Sequence, residues 1–300
     1  EWTLNYIGEF ANSIIETIEG HFVIAGQRNI DEYNQQRLVI KIDSEGNIVW
    51  ESVDGNTGWD YAQSIIETSS GDYLITGAEQ PSQGLGFCGY LLKVTSDGTH
   101  LWNRRFYSED SIAALHLRDL DVASDGGIIL TGWKDFEGYD SQILLLKTNE
   151  HGIEEWRKID GDTGRDRGHS VKVTSTGGYV TTGIRTNIDS YYFEFSIIRY
   201  NSSGDALWES LLGGGDNESK AGYSIDITPD NNYVVLGYGD KNLIPNIYLV
   251  KLAQDVLNND ISKKAIPIQF TLNQNYPNPF NPVTTFQYDL PEDGLVNITV

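Results

Sequence analysis

Apolar side chains along this chain come in short runs, in which they alternate with polar side chains, and turn-forming residues separate the runs. Between residues 64 and 102, for example, the runs SIIET, YLITG, YLLKV and HLW are rich in β-branched and aromatic residues. Alternation with a period of two is typical of β-strands. Helical periodicity never extends over more than 10 residues. The pattern therefore predicts an all-β protein.

The strands recur in a unit that keeps two spacings constant while the loops vary. A glycine lies 13 residues after a serine or aspartate in five places: Ser13/Gly26, Ser64/Gly77, Asp119/Gly132, Ser170/Gly183 and Ser224/Gly237. A tryptophan lies 9 residues after a basic residue in four places: Lys41/Trp50, Lys93/Trp102, Lys147/Trp156 and Arg199/Trp208. Successive glycines are 51 to 55 residues apart. A period of this length with several short strands predicts a propeller or solenoid array.

We predict a β-propeller of about five four-stranded blades in residues 1–252, with units at about 9–55, 56–110, 111–162, 163–216 and 217–252. The fifth unit lacks the tryptophan of a fourth strand, because Asp260 occupies that position, and residues 1–8 supply an additional strand. Strand exchange between the two would close the ring and remove free sheet edges. The alternative is an arc of a larger ring.

The repeated residues have structural interpretations. A tryptophan at one recurring strand position is expected to pack between stacked sheets. The glycine that closes each second strand indicates a special backbone conformation or a close approach of two strands. The basic residues follow apolar runs, so we expect their side chains to extend to solvent at the sheet rim.

Composition narrows the range of partners. The 300 residues include 43 acidic and 21 basic side chains, which gives a net charge of −22. Such a charge repels nucleic acids and anionic membrane surfaces. No apolar run approaches the roughly 18 residues of a membrane-spanning helix. Cys88 is the single cysteine, so an internal disulfide and a cysteine-based metal site are excluded.

The variable loops are expected to share one face. In an antiparallel meander, the second–third loops and the links between units lie at the same end, and here these segments are long and varied. Binding residues concentrate on such loops, here around the mouth of the axial channel. Aromatic rings beside Asp, Asn and Arg suit sugar stacking or protein contact. The candidate ligand-binding residues are Arg28, Trp59, Asp60, Trp133, Asp135, Tyr139, Arg185, Tyr191 and Tyr238.

Signals for catalysis and metal binding are weak. No nucleophile elbow, zinc-protease motif or phosphate-binding glycine loop is present. His116 and His169 precede first strands, so they are candidates for a shared role at the channel mouth, although loop histidines are the simpler interpretation. Acidic residues are too numerous to single out a glycosidase pair. Asp160, Asp162 and Asp166 resemble part of a calcium loop, but the required glycine and distal glutamate are out of register.

The repeat pattern stops after residue 252, and residues 253–267 are predicted to be a linker. The segment NQNYPNPFNPVTTFQYDLP, residues 273–291, closely resembles the opening of the C-terminal sorting domain of the bacterial type IX secretion system. The resemblance rests chiefly on Asn275, Tyr276, Pro277, Asn278, Pro279, Phe280, Asn281 and Pro282. It implies a small β-sandwich in residues 268–300, truncated here, that interacts with the type IX machinery. The repeats are also similar to propeller repeats found upstream of such signals.

The resemblance implies export, so the expected location is extracellular or at the outer cell surface. No signal peptide is visible, but the chain begins at Glu1 and contains no methionine, so we interpret it as lacking its native start. The leading functional hypothesis is a non-catalytic binding or adhesion module that holds a glycan or a protein on the variable-loop face. A secreted carbohydrate-active enzyme and a structural spacer are the alternatives, because propellers serve all three roles. No cofactor is expected, apart from calcium at the aspartates named above.

Overall fold

The computed structural model describes residues 3, 9–81, 86–109, 113–136, 140–187, 192–213, 218–241 and 244–253, together with the backbone of 271–272, 276–281, 283–285 and 288–289. Every regular element in these residues is a β-strand, which confirms the all-β prediction. No helix able to cross a membrane occurs in these ranges. The chain divides into two compact units, Glu1–Val173 and Thr174–Val300.

The first unit contains three four-stranded antiparallel sheets, each with its strands in sequential order. The first sheet consists of β1 (Glu9–Glu16), β2 (Phe22–Asp31), β3 (Asn34–Ile42) and β4 (Ile48–Asp54). The second consists of β5 (Asp60–Glu67), β6 (Tyr73–Glu79), β7 (Cys88–Val94) and β8 (His100–Phe106). The third consists of β9 (Leu115–Val122), β10 (Ile128–Asp135), β11 (Ser141–Thr148) and β12 (Glu154–Asp160). Strand β13 (Arg167–Val173) completes the unit. Each sheet is therefore one predicted repeat.

The second unit continues the same pattern. Its longer strands are β14 (Tyr179–Thr186), β15 (Phe193–Tyr200), β16 (Ala206–Leu212), β17 (Glu218–Ile227), β18 (Tyr233–Lys241) and β19 (Ile244–Leu252). Strands β17, β18 and β19 form a sheet of three, as the missing tryptophan of the fifth repeat predicts. Short strands follow: β20 (Thr271–Leu272), β21 (Tyr276–Asn281), β22 (Val283–Thr285) and β23 (Tyr288–Asp289). The strand predicted for residues 1–8 and the linker after 253 lie outside the described residues.

In the first unit the first strands of successive repeats contact one another, β1 with β5, β5 with β9 and β9 with β13. Apolar side chains fill the space between adjacent sheets. Val23 and Val39 of the first sheet join Ile65 and Ile75 of the second in one buried cluster. A second cluster joins the second and third sheets. The first strands are thus the inner strands of a face-to-face stack, and the end at which they begin is the end of the variable loops.

The repeated glycine spacing reflects a close approach of two strands, which is one of the two predicted explanations. Gly132 lies on β10 opposite an irregularity in the pairing with β9. A Cβ at Gly132 would overlap the carbonyl oxygen of His116, and a Cβ at Gly77 would overlap that of Tyr61. Only glycine fits at this position, because the first strand bulges toward it.

The repeated tryptophan packs against the following repeat, which confirms its predicted role. The Trp50 ring lies 6.2 Å from the Tyr73 ring, and its Nε1 donates to the carbonyl oxygen of Ser96 at 3.0 Å. It also covers Gly98 in the turn between β7 and β8. An indole here fills the gap between sheets and satisfies a backbone acceptor.

The predicted solvent exposure of the basic residues is wrong for three of the four. Lys41, Lys147 and Arg199 are only 4%, 2% and 6% exposed. The ammonium of Lys147 donates to the carbonyl oxygen of Thr148 at 2.9 Å and contacts the carboxylates of Asp125 and Glu155. A buried cation is tolerated when acceptors surround it. Here Asp125 lies in the turn between β9 and β10, Thr148 on β11 and Glu155 on β12.

Two segments predicted as long loops are strand extensions. Strands β2 and β3 pair as far as Asp31 with Asn34, and β18 pairs with β19 as far as Lys241 with Ile244. Polar side chains do not prevent strand pairing, because the backbone groups still gain partners in the ladder. Arg28 and Tyr238 therefore lie on strands rather than in loops.

Candidate functional site

The candidate site lies in the first unit, where β5 and β9 begin and β10 ends. Trp59 immediately precedes β5. The backbone holds it in place: the carbonyl oxygen of Trp59 accepts from the amide of Gln80 at 3.1 Å, and the carbonyl oxygen of Gly58 accepts from the amide of Gln35 at 2.8 Å. The link between the first two repeats is thereby attached to both sheets. Trp59 remains 45% exposed, so a tethered indole faces solvent.

Five rings form a continuous ladder at this end of the unit. Trp59 meets Tyr61 edge to face at 6.5 Å between centroids, and Tyr61 stacks on Phe87 at 5.9 Å. Phe87 in turn lies 4.9 Å from His116, which stacks on Trp133 at 4.9 Å. Aromatic contacts of this kind add stability beyond the buried area and hold the rings in fixed orientations. The ladder is therefore a rigid aromatic surface that crosses two repeats.

The ladder borders a cleft of about 280 Å³. All five rings line it, and Gln63, Ala78, Leu117 and Arg118 complete the lining. A volume of this size is just below the roughly 300–1,000 Å³ of typical small-molecule sites. The cleft therefore suits one ring-sized group better than an extended ligand.

Polar contacts fix the far end of the ladder. Nε2 of His116 lies 3.1 Å from Oδ2 of Asp135. The guanidinium of Arg167 lies 4.6 Å from the centre of the Trp133 ring and 3.9 Å from Oδ1 of Asp135. Burial lowers the pKa of Arg167 below its usual value. Asp135 thus faces a histidine and an arginine, and the cation stacks on the ladder.

A buried network of charged groups lies among β3, β5 and β6 of the same unit. Glu79 is 0% exposed and pairs with the guanidinium of Arg37 at 3.0 Å and with that of Arg105. Asp60, also 0% exposed, accepts hydrogen bonds from the backbone amides of Asn56 and Gln80. Burial raises the pKa of Asp60 to about 6. Glu79 and Asp60 are enclosed, whereas the Arg105 side chain is 43% exposed. The hydrogen bonds of Asp60 hold the link that carries Trp59.

The structure brings together only some of the residues predicted from sequence. Trp59, Trp133 and Asp135 belong to the ladder and its polar end, whereas Asp60 is buried. Arg28 pairs with carboxylates on two other strands of its sheet, and Arg185 donates to Glu209 at 2.7 Å in the second unit. Tyr238 is 43% exposed on β18 of that unit. Tyr139 and Tyr191 lie outside the described residues, as do the side chains of the sorting segment.

The aspartates proposed for calcium are arranged as a turn. Oδ2 of Asp166 accepts from the backbone amide of Asp162 at 2.9 Å, and Asp166 is 3% exposed. Asp160 ends β12. Among the residues with described positions, no three His, Cys, Asp or Glu side chains are arranged to hold a metal ion.

Sequence reasoning missed Tyr61, Phe87, Arg118 and Arg167, yet the repeat register contained a signal. The position three residues before the repeated Ser or Asp is held by Phe10, Tyr61, His116, Arg167 and Ala221. Three consecutive members of this series, Tyr61, His116 and Arg167, contact the ladder or belong to it. The residue type at this position differs between repeats, although its spacing to the repeated Ser or Asp is constant. The position also lies at the loop end of the inner strand, and these two properties together mark it as a candidate binding position.

These features define a repeated all-β protein of four-stranded antiparallel sheets. No protein-family model matches the chain, and no curated protein sequence matches it. Among solved structures, a protein of unknown function from Dyadobacter fermentans DSM 18053 is similar, with 13% identity and a TM-score of 0.55, over 81% of this chain and 79% of that one. A protein of unknown function from Bacteroides caccae has 16% identity and a TM-score of 0.47, over 85% and 80% of the two chains. The endo-arabinase of Bacteroides thetaiotaomicron VPI-5482 has 10% identity and a TM-score of 0.48, over 84% and 96%. At these identities the similarity to the Dyadobacter protein concerns the fold alone.

Proposed function

We propose that the chain is a non-catalytic binding module that holds a glycan in the aromatic cleft. The observation that carries the proposal is the ladder of five rings along a cleft of about 280 Å³. Sugar rings present apolar C–H faces to aromatic side chains and hydroxyl groups to polar ones. Gln63 and Arg118 place polar groups beside the rings. A rigid surface of this kind loses little conformational entropy when it binds a ligand.

The carboxylates near the cleft support binding over hydrolysis. A glycosidase needs two carboxyl groups that both reach the substrate, about 5–10 Å apart. Asp60 is enclosed and accepts two backbone hydrogen bonds, and Asp135 contacts His116 and Arg167. We therefore favour the binding module over the secreted enzyme.

We further propose that the repeats form a β-propeller of about five blades. The contacts among the inner strands β1, β5, β9 and β13 support this arrangement, because a propeller places the first strand of each blade nearest the axis. Residues 268–300 would be the opening part of a type IX sorting domain, which directs the protein to the outer cell surface or the medium. The resemblance of residues 273–291 to the opening of such domains supports that assignment.

The sorting proposal is tested in a bacterium that has a type IX system. The chain is expressed with its native segment Asn275–Pro282 or with a Gly/Ser segment of equal length. Loss of surface and medium protein only for the substituted chain is the expected result. Equal export of the two chains contradicts the assignment.

Glycan binding is tested with a polysaccharide and oligosaccharide array, using the full chain with and without calcium. The Trp59→Ala/Trp133→Ala double variant should lose the retained glycan. Tyr33→Ala is the matched control, because Tyr33 is 73% exposed but does not line the cleft. Shortened glycan products would favour the enzyme, and no signal in any arm would leave a protein partner or a spacer role.

A further inference from the structure

The charged side chain that lines the cleft, Arg118, differs in sign from the net charge of the protein. The chain carries 43 acidic and 21 basic side chains. Within the described part of the chain, however, the cleft lining includes Arg118 and His116 and no aspartate or glutamate. A cleft assembled without regard to charge would more often present a carboxylate in so acidic a protein.

The carboxylates nearest in sequence are directed to other partners. Asp119 follows Arg118 directly, and its two oxygens accept from Ser64 at 2.8 Å and from Ser170 at 2.7 Å. Asp60 lies between the two ladder residues Trp59 and Tyr61 but is 0% exposed. Arg118 is therefore the cation of the cleft lining, and Asp135, outside that lining, lies 3.1 Å from the His116 ring.

The position of the arginine is defined by its neighbours. Arg118 lies on β9, and its Nη1 donates to Oε1 of Gln63 on β5 at 2.5 Å. Both side chains line the cleft together with the aromatic rings. Apolar walls lower the local dielectric constant, so a cation among them attracts an anion more strongly than the same cation in water. Arginine also matches the planar geometry of a carboxylate.

We propose that the cleft binds a carboxylate-bearing sugar ring, that is, a uronic acid residue. The carboxylate lies beside Arg118 and the ring lies against the aromatic wall. The volume of about 280 Å³ suits a single such residue, at a chain end or within an oligosaccharide. This inference rests on the proposed glycan-binding function and specifies the class of glycan.

The test uses oligosaccharides of galacturonate, glucuronate and mannuronate, each paired with its carboxyl-reduced counterpart. Affinities for the full chain are measured by titration calorimetry. We expect at least one acidic probe to bind on the order of 10-fold more tightly than its reduced counterpart, as a charged hydrogen bond provides. Added salt should weaken only the acidic probe, since screening acts on the charged contact.

Substitutions test whether Arg118 causes the preference for the acidic probe. Arg118→Gln should abolish the preference for the acidic probe, measured as the ratio of the affinities for the acidic and the reduced probe, whereas Arg118→Lys should retain part of that preference. Lys158→Gln, on the outer strand β12, is the matched control for removing one positive charge and should behave as wild type. Preservation of the preference in Arg118→Gln would overturn the inference.

The outcomes separate this inference from the proposed function. Equal affinity for acidic and reduced probes, with binding lost in Trp59→Ala, overturns the uronate inference and leaves glycan binding intact. Absence of binding by every acidic probe likewise overturns the inference. Absence of binding by all probes, acidic and neutral, overturns both.

Discussion

Asp119 links three successive repeats, and replacing it should destabilise the first unit. Its Oδ1 accepts from the Ser64 hydroxyl of the second repeat at 2.8 Å. Its Oδ2 accepts from the Ser170 hydroxyl at 2.7 Å and from the backbone amide of Val171 at 3.0 Å, both in the fourth repeat. Ser64 and Ser170 are buried. The change Asp119→Ala removes all three hydrogen bonds at once.

The size of the destabilisation depends on whether each donor can find another acceptor after the substitution. The amide of Val171 cannot rotate, so leaving it without an acceptor costs about 1–3 kcal/mol. The two serine hydroxyls can turn toward other acceptors, so each loses about 0.5–1 kcal/mol. The free energy of unfolding of the first unit should fall by about 3 kcal/mol in total. Asp119→Ser should cost about half as much, because serine occupies the other four repeat positions and retains one hydroxyl oxygen.

The assay is urea unfolding followed by tryptophan fluorescence, analysed for separate transitions because a chain of two units need not unfold in one step. The transition midpoint should decrease with an unchanged slope, since the folded surface stays the same. A double-mutant cycle with Ser64→Ala should give a coupling energy of about 1 kcal/mol. A change below about 0.5 kcal/mol for Asp119→Ala would refute the reasoning that this carboxylate joins the repeats.

Three further predictions concern the same unit. Gly132→Ala should lower the free energy of unfolding by at least about 2 kcal/mol, because its Cβ would overlap a backbone carbonyl of β9. Gly86→Ala is the control: its Cβ would be 3.4 Å from its nearest neighbour, so this change should alter the melting temperature little. Burial raises the pKa of Asp60 from 3.8 to about 6, so the folded protein retains a proton that the unfolded chain releases in that window. Stability should therefore fall as pH rises from about 4 to 6, by at most about 3 kcal/mol, and melting curves of Asp60→Asn should lack this decrease. Trp50→Ala should lower the free energy of unfolding by about 3 kcal/mol, because packing between sheets is lost. Trp59→Ala, at a site 45% exposed, should alter ligand binding and have little effect on unfolding.

Much of the fold could be predicted from sequence, because the determinants of each sheet are local and recur every 51 to 55 residues. The spacing from Ser64 to Gly77 defines a strand, a tight turn and a second strand. The glycine then marks where the first strand bulges, and the structure places Gly77 against the carbonyl of Tyr61. The indole of Trp50 was likewise correctly interpreted as a contact between sheets. The spacing within a single repeat would have been ambiguous evidence for this strand pattern, but five copies of the same spacing were not.

The environment of Lys41 could not be predicted, since one of its acceptors comes from a turn of the next repeat. Lys41 follows an apolar run, which is compatible with a side chain that reaches solvent. Its Nζ instead contacts Glu19 at 3.3 Å and the carbonyl oxygen of Ser96 at 3.2 Å, in the turn of the next repeat. Only the packing of one sheet on another brings these acceptors together. Sequence alone specifies the sheet and not its neighbours.

The candidate site was likewise predictable only in part, because some of its contacts lie within one repeat and others join two sheets. His116 and Trp133 are direct partners in the pairing of β9 with β10, so the repeat register alone places them side by side. Phe87 reaches His116 from the neighbouring sheet, at 4.9 Å, and no spacing within a repeat encodes that contact. The candidates from sequence included three of the five ladder residues, Trp59, His116 and Trp133, whereas Tyr61 and Phe87 were missed.

The positions that form the ladder are those that the fold leaves free to change. Stability of each repeat depends on the glycine of the second strand, the tryptophan of the fourth and the buried basic residue of the third, and these recur with little variation. The position three residues before the repeated Ser or Asp instead changes from Tyr61 to His116 to Arg167 along the first unit. It lies where an inner strand begins: Tyr61 and His116 border the cleft, and the guanidinium of Arg167 lies over the Trp133 ring. Substitutions there can alter what the cleft binds at little cost to folding, and a binding site is therefore best sought at this position in each repeat.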